Sequence, residues 1–136
     1  MDAGADSLML LALRARITPG DVVVTSAGTY PTFLYFAEGV GARIIQVPYH
    51  DDSGHLSVDL DALAAAARAN DASLLYIANP DNPTGQVHGR GEMARLRSSL
   101  PETTMLIIDE AVRLATRLTT HSTTPCVCPA SWMTTA

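Results

Sequence analysis

The sequence predicts an α/β protein in which a mostly parallel sheet lies between two helical layers, giving a three-layer α/β/α arrangement. The first observation is the order of the elements, because short apolar and β-branched runs alternate with stretches of helical composition, as right-handed crossovers between parallel strands require. The second is that the three most polar loops directly follow predicted strands, where ligands gather in such sheets. The predicted strands cover residues 22–25, 43–47, 74–78 and 105–108.

The N-terminal half is predicted to contain two helices. Asp6 or Ser7 is a suitable N-cap for the first helix, and a Thr-Pro-Gly-Asp segment at 18–21 ends it. The second helix is predicted over residues 32–40 and ends at a glycine. Residues 49–54 are mostly polar, and we interpret them as a turn that follows the second strand.

Two more helices are predicted in the following part of the chain. Asp59 or Asp61 is expected to begin an alanine-rich helix, since aspartate is a favourable N-cap and alanine the best helix former. Another helix is predicted over residues 91–100. Tyr35 falls in a predicted helix and Tyr76 in a predicted strand, and both are assigned to packing.

The loop after the third predicted strand has an unusual composition. Residues 79–85 read Asn-Pro-Asp-Asn-Pro-Thr-Gly. Each proline fixes its own φ and biases the residue before it towards an extended conformation. The loop is therefore predicted to be stiff and to present Asn82 in a set direction, which an ordinary turn does not require.

This heptad resembles the NPxNPTG signature of class I/II aminotransferases, the fold-type I enzymes that depend on pyridoxal 5'-phosphate (PLP). Residues 105–111, Met-Leu-Ile-Ile-Asp-Glu-Ala, resemble the strand and Asp-Glu-Ala motif of the same family. Gly-Ala-Asp at 4–6 resembles its phosphate loop, and Thr29-Tyr30 resembles the loop that carries its ring-stacking aromatic residue. The pattern is most similar to the histidinol-phosphate aminotransferase branch.

The resemblance implies a PLP site and a role for each matching residue. Backbone N–H groups of Ala5 and Asp6, at a helix N-terminus, would bind the phosphate. Tyr30 would stack on the pyridine ring, and Asn82 would donate a hydrogen bond to the phenolic oxygen. Asp109 would pair with the pyridine nitrogen and keep it protonated. The structural alternatives are a simple N-cap for Asp6, packing on the sheet for Tyr30 and a helix cap for Asp109.

The sequence also departs from the family. All nine basic residues counted as Lys or Arg are arginines, so the chain has no lysine. Transamination requires a lysine amine that binds the cofactor covalently and moves a proton, so no catalytic residue is assigned. Where the family has tyrosine after Asp-Glu-Ala, this chain has Val112. Residues 112–136 also lack acidic residues and α/β patterning.

We therefore expect a truncated product with two regions. Residues 1–111 are interpreted as a partial PLP-binding large domain, and residues 112–136 as an off-pattern tail that is disordered or out of frame. The predicted family reaction moves an amino group from an amino acid or amino-phosphate donor to a keto acid, although the chain alone is expected to be inactive. The alternatives are a lyase or decarboxylase on the same fold, or a non-catalytic pseudoenzyme or interaction fragment.

Composition limits the partners. The net charge of −5 disfavours nucleic acid and anionic membranes, and no apolar run is long enough to span a bilayer. A cytoplasmic location is predicted, and the family resemblance implies a homodimer. Cys126 and Cys128 form a lone Cys-x-Cys pair without a second ligand pair, and His121 nearby does not supply one, so no metal site is predicted. A dinucleotide-binding fold is disfavoured because no Gly-x-Gly-x-x-Gly motif follows a strand.

Overall fold

The computed structural model describes residues 4–111. Four helices are present in this part of the chain: α1 (Ala5–Arg16), α2 (Pro31–Gly39), α3 (Leu60–Ala69) and α4 (Arg90–Ser99). The strands are β1 (Val22–Ser26), β2 (Arg43–Val47), β3 (His50–Asp52), β4 (His55–Ser57), β5 (Leu74–Ala78) and β6 (Met105–Asp109).

The main sheet has four parallel strands in the order β2-β1-β5-β6. The strand-helix-strand crossovers and the parallel pairing confirm the predicted α/β fold class. The register of β5 and β6 places Ala78 opposite Asp109, so these two strands end side by side. This edge of the sheet is where the predicted ligand-binding loops emerge.

Apolar side chains of the strands alternate between the two faces of the sheet, and on each face they pack against a layer of helices. On β5, Leu74 and Tyr76 belong to a cluster with α1 and α2, whereas Leu75 and Ile77 belong to a cluster with α3 and α4. This alternation follows from the two-residue period of a strand. Because both faces of β5 are covered, the predicted three-layer arrangement is confirmed.

The N-cap of α1 differs from the prediction. The helix begins at Ala5, and its N-cap is Gly4, with φ of 103° and no side-chain cap hydrogen bond, rather than Asp6 or Ser7. Glycine adopts this positive φ without steric cost, so the chain can enter the helix earlier than an aspartate cap would allow. Asp6 consequently lies in the first turn.

The interpretation of residues 49–54 as a simple turn was wrong. His50–Asp52 and His55–Ser57 pair as an antiparallel hairpin. Its tip is formed by Ser53 and Gly54, both with positive φ, and the Asp51 carboxylate accepts a hydrogen bond from the Gly54 N–H at 2.8 Å. Strands of three residues are too short to give a recognisable alternation in the sequence.

Other predicted boundaries agree with the structure to within one or two residues. Asp59 is the N-cap of α3, and its side chain accepts a hydrogen bond from the Ala62 N–H at 2.8 Å. The predicted tail, with Cys126 and Cys128, lies outside the described residues. None of the helices in residues 4–111 combines the length and apolar character needed to cross a bilayer.

Candidate cofactor site

One cavity brings together every residue that the sequence analysis assigned to cofactor binding. Ala5, Asp6, Tyr30, Asn82 and Asp109 all line it, and its volume is about 360 Å³. It lies beside the carboxyl ends of β5 and β6, on the side of the sheet that carries α1 and α2. This volume is within the range of cavities that bind small molecules and cofactors.

The N-terminus of α1 forms one end of this cavity. Gly4, Ala5 and Asp6 line the wall, and Gly4 has open space where a side chain would be. The first N–H groups of a helix have no intrahelical partner, and here no side chain caps them. The Asp6 side chain is largely exposed, so the backbone donors are the groups suited to an anion.

Tyr30 reaches the cavity from the start of α2. It occupies the N-cap position and is followed by Pro31, whose missing N–H is tolerated there. Tyr30 is half-buried and packs against the cluster beneath α1 and α2, while its ring also lines the cavity. Tyr30 can therefore pack on the sheet and contact a ligand in the cavity at the same time.

The loop that carries Asn82 is held by buried polar contacts around Asp81. The Asp81 carboxylate accepts hydrogen bonds from the Tyr49 hydroxyl at 3.1 Å, the Thr84 hydroxyl at 2.6 Å and the Thr84 N–H at 3.3 Å. Gly85, with φ of 75°, donates its N–H to the Asp81 carbonyl at 2.8 Å. The predicted stiffness of the loop thus has a source beyond its prolines.

The side chains of Asn82 and Asn79 differ in their surroundings. Asn79 is buried, accepts a hydrogen bond from the His88 N–H at 2.8 Å and donates to the His88 carbonyl at 3.0 Å. Asn82 is exposed, and within residues 4–111 its side chain makes no hydrogen bond. Its amide can therefore donate to a ligand without breaking an existing contact.

Tyr49 acts as a permanent donor to this loop at ordinary pH. Burial raises the pKa of its hydroxyl to about 12, and the neighbouring Asp81 carboxylate also favours the protonated form. Gly28 lies against the Tyr49 ring, and a side chain at that position would collide with it. The absence of a side chain at Gly28 thus allows Tyr49 to reach Asp81.

Asp109 is the last residue of β6, and its carboxylate accepts two hydrogen bonds. The Tyr76 hydroxyl donates to its Oδ2 at 2.8 Å, and the Ala111 N–H donates to its Oδ1 at 2.9 Å. Burial, followed by the hydrogen bond to Asp109, raises the pKa of Tyr76, so this hydroxyl stays protonated. The two contacts fix the orientation of the carboxylate at the cavity wall.

The assignment of both tyrosines to packing was incomplete for Tyr76 and wrong for Tyr35. Tyr76 is fully buried and stacks on Phe33 with ring centroids 3.8 Å apart, but it also contacts Asp109. Tyr35 is 74% exposed. Strand alternation, which places Tyr76 on the same face as Ala78 at the cavity, was the available signal.

A larger cavity of about 900 Å³ lies beside α3 and α4, and none of the residues assigned to cofactor binding lines it. Its wall includes His88, whose ring is buried, with Nδ1 3.4 Å from a Glu92 carboxylate oxygen. Size alone would favour this cavity, but the smaller one has the convergent donors and aromatic ring. Residues 4–111 contain no group of three or more side chains placed to bind a metal.

Comparison with known proteins defines the class of this chain. The model of the family "Aminotransferase class I and II" matches residues 1–112. The chain therefore belongs to the class I and II aminotransferases. Within that family, it is 40% identical over 109 residues to histidinol-phosphate aminotransferase from Rhodospirillum rubrum, and it is 36% identical over 109 residues to the enzyme of the same name from Staphylococcus aureus.

These matches cover 80% of this chain but only 28% and 30% of those two relatives, so the chain spans less than a third of their length.

Among solved structures, the chain resembles histidinol-phosphate aminotransferase from Sinorhizobium meliloti in complex with PLP. The TM-score is 0.73 and the identity 44%, covering 79% of this chain and 28% of that one. Cystalysin from Treponema denticola, which contains PLP, shares the fold at 24% identity and a TM-score of 0.71, covering 79% of this chain and 28% of that one.

Proposed function

We propose that residues 4–111 are the PLP-binding core of an aminotransferase and that the 360 Å³ cavity holds the cofactor. The observation that supports this most strongly is the convergence of five residues, assigned from separate motifs, on one cavity. Ala5 lies 104 positions before Asp109 in the chain (109 − 5), yet both line the same cavity. Such convergence is not expected if the motif matches were unrelated.

The donor set fits the chemical groups of PLP. Uncapped N–H groups at the start of α1 suit a phosphate dianion, and the Tyr30 ring suits a flat heterocycle. The Asn82 amide is a free donor for an oxyanion, and the Asp109 carboxylate, which already accepts one hydrogen bond on each oxygen, can accept a further one from a ring N–H. When bound, PLP supplies an electron-withdrawing ring next to the amino group of the substrate.

The residues of this chain act on the cofactor by binding and orienting it. Asp109 would keep the ring nitrogen protonated, because a nearby carboxylate favours the charged form of its partner. Asn82 would donate to the phenolic oxygen and set the tilt of the ring. Tyr30 would cover one ring face and exclude water from it. Asp109 and Asn82 would thus contact two different edges of the ring, and Tyr30 would contact one face.

The 136 residues contain no lysine, so we propose that they bind PLP without a covalent bond and do not complete transamination by themselves. Arginine cannot replace the missing amine, since its guanidinium stays protonated in proteins. The chain thus provides cofactor-binding groups but no group that moves a proton at the substrate Cα. A non-catalytic role remains compatible with this arrangement.

We further propose the partners of the complete enzyme. Its substrates would be an amino donor and a keto acceptor, and the names of the relatives favour an amino-phosphate donor. A cytoplasmic homodimer is the expected form. A lyase on the same fold is the second candidate, but the similarity to cystalysin, at 24% identity, concerns the fold alone.

The first test is an absorbance titration of the purified chain with PLP, followed by borohydride treatment and mass spectrometry. We expect a saturable spectral change and no covalent adduct on any residue after the first, because only the N-terminal amine is available. Asp109→Asn should weaken binding, whereas Glu102→Gln, which changes an exposed carboxylate, should not. A wild-type chain with no spectral change would exclude the proposal.

A further inference from the structure

We propose that Tyr76 is a positioning residue, which holds the Asp109 carboxylate in place for the ring nitrogen of the cofactor. This inference rests on the proposed function, since it assigns a second residue to the same site. Tyr76 does not line the cavity itself, and it would act only through Asp109. Because the Tyr76 hydroxyl orients the carboxylate that would bind the ring nitrogen, it should increase the affinity for ligands that carry such a nitrogen.

The geometry supports a specific contact rather than incidental packing. The Tyr76 hydroxyl lies 2.8 Å from Asp109 Oδ2, a distance typical of a hydrogen bond to a carboxylate. Tyr76 lies on β5 and Asp109 on β6, and the register puts Tyr76 opposite Ile107, two residues before Asp109. The phenol therefore reaches diagonally along one face of the sheet to the strand end.

Tyr76 is itself held firmly. Its ring is fully buried and stacks on Phe33, with an interplanar angle of 9°. A rigid donor restricts the rotamers of its acceptor more than a mobile one. The Ala111 N–H binds the other oxygen of the carboxylate. Each carboxylate oxygen accepts about two hydrogen bonds, so a position for the ring N–H remains open.

The Tyr76 hydroxyl lies next to the cavity wall, because its acceptor, Asp109, lines the cavity. Apart from Asp109, the titratable groups that act electrostatically on its hydroxyl are Tyr30 and Asp6, and both line the cavity. Burial first, then the hydrogen bond to Asp109 and the charges of these groups, raise the pKa of Tyr76. Tyr76 is therefore a hydrogen-bond donor at ordinary pH.

The experiment measures the affinity of the full chain for two probes, PLP and its 1-deaza analogue, in which C–H replaces the ring nitrogen. Tyr76→Phe keeps the stacking on Phe33 and removes only the hydroxyl. We expect it to weaken PLP binding about tenfold, as for loss of a hydrogen bond to a charged group, and to leave binding of the analogue unchanged. Tyr35→Phe, which removes an exposed hydroxyl, should change neither affinity.

A structural role for Tyr76 would give a different pattern, because damage to the cavity lowers both affinities equally. Equal losses for the two probes, or an unchanged PLP affinity in Tyr76→Phe, would overturn the inference. Phe33→Leu serves as the packing control, because it keeps the hydroxyl while disturbing the stacking, and it should affect both probes alike. A wild-type chain that binds neither probe would refute the proposed function and the positioning role with it.

A measurement without ligand tests the contact separately. In the NMR spectrum of a chain labelled at tyrosine Cζ, Asp109→Asn should shift the Tyr76 signal and leave the Tyr49 signal in place. Asp81→Asn should do the reverse, since Tyr49 donates to Asp81. A Tyr76 signal that does not respond to Asp109→Asn would show that the hydrogen bond is absent and would overturn the inference.

Discussion

Replacing Asp81 should destabilise the chain more than replacing an exposed carboxylate, because this side chain is only 4% exposed and accepts hydrogen bonds from three donor groups. The shortest, from the Thr84 hydroxyl, is 2.6 Å, and the bonds from the Tyr49 hydroxyl and the Thr84 N–H are 3.1 Å and 3.3 Å. A net contribution of about 1.5 kcal/mol for the short bond and roughly half that for each longer one gives about 3 kcal/mol for Asp81→Ala.

Urea-induced unfolding followed by circular dichroism measures this loss. With a slope of about 1–3 kcal/mol/M for a small domain, the midpoint for Asp81→Ala should fall by roughly 1–3 M. Asp81→Asn is the matched variant, because its amide oxygen can still accept the bond from the Thr84 hydroxyl, and it should lose only about 1 kcal/mol. If both variants unfolded at the wild-type midpoint, the network around Asp81 would not stabilise the loop.

Two further predictions concern stability. Asp59→Ala should cost about 1 kcal/mol in urea unfolding, because it removes the acceptor for the Ala62 N–H, whereas Asp61→Ala, in the first turn, should cost less. Because the pKa of Tyr49 is about 12 in the folded chain against 10.0 normally, the folded state retains a proton that the unfolded state loses, so stability should fall as pH rises through this interval. Tyr49→Phe should show a smaller fall between those pH values in the same assay, and an identical fall would rule out the contribution of this hydroxyl.

The strands and the site residues could be predicted because each has a local signal. The β-branched run of β1 and the aliphatic runs of β5 and β6 identify buried strands without any information from elsewhere in the chain. Asn82 and Asp109 stand within motifs whose residue types match a known chemistry. Their positions after strands then placed them at one edge of the sheet.

The contacts that hold those residues could not be predicted in the same way. The bond between Tyr76 and Asp109 depends on the register of β5 against β6, which a shift of one residue would abolish by turning one side chain to the other face. The bond between Tyr49 and Asp81 joins positions 32 residues apart, in the segments that follow β2 and β5. Both are tertiary contacts between residues far apart in the chain, which no local sequence pattern predicts.

The cavity is lined by residues from both ends of the described chain, Gly4 to Asp6 at the start and Asp109 with Ala111 at the end. Any ligand in it therefore contacts a binding surface that exists only after β6 has joined the sheet. By linkage, such a ligand at 100 times its dissociation constant would stabilise the assembled state by about 2.7 kcal/mol. A bound ligand thus stabilises the contact between the first and last described segments. Resistance to proteolysis that increases with ligand concentration would report that β6 has joined the sheet.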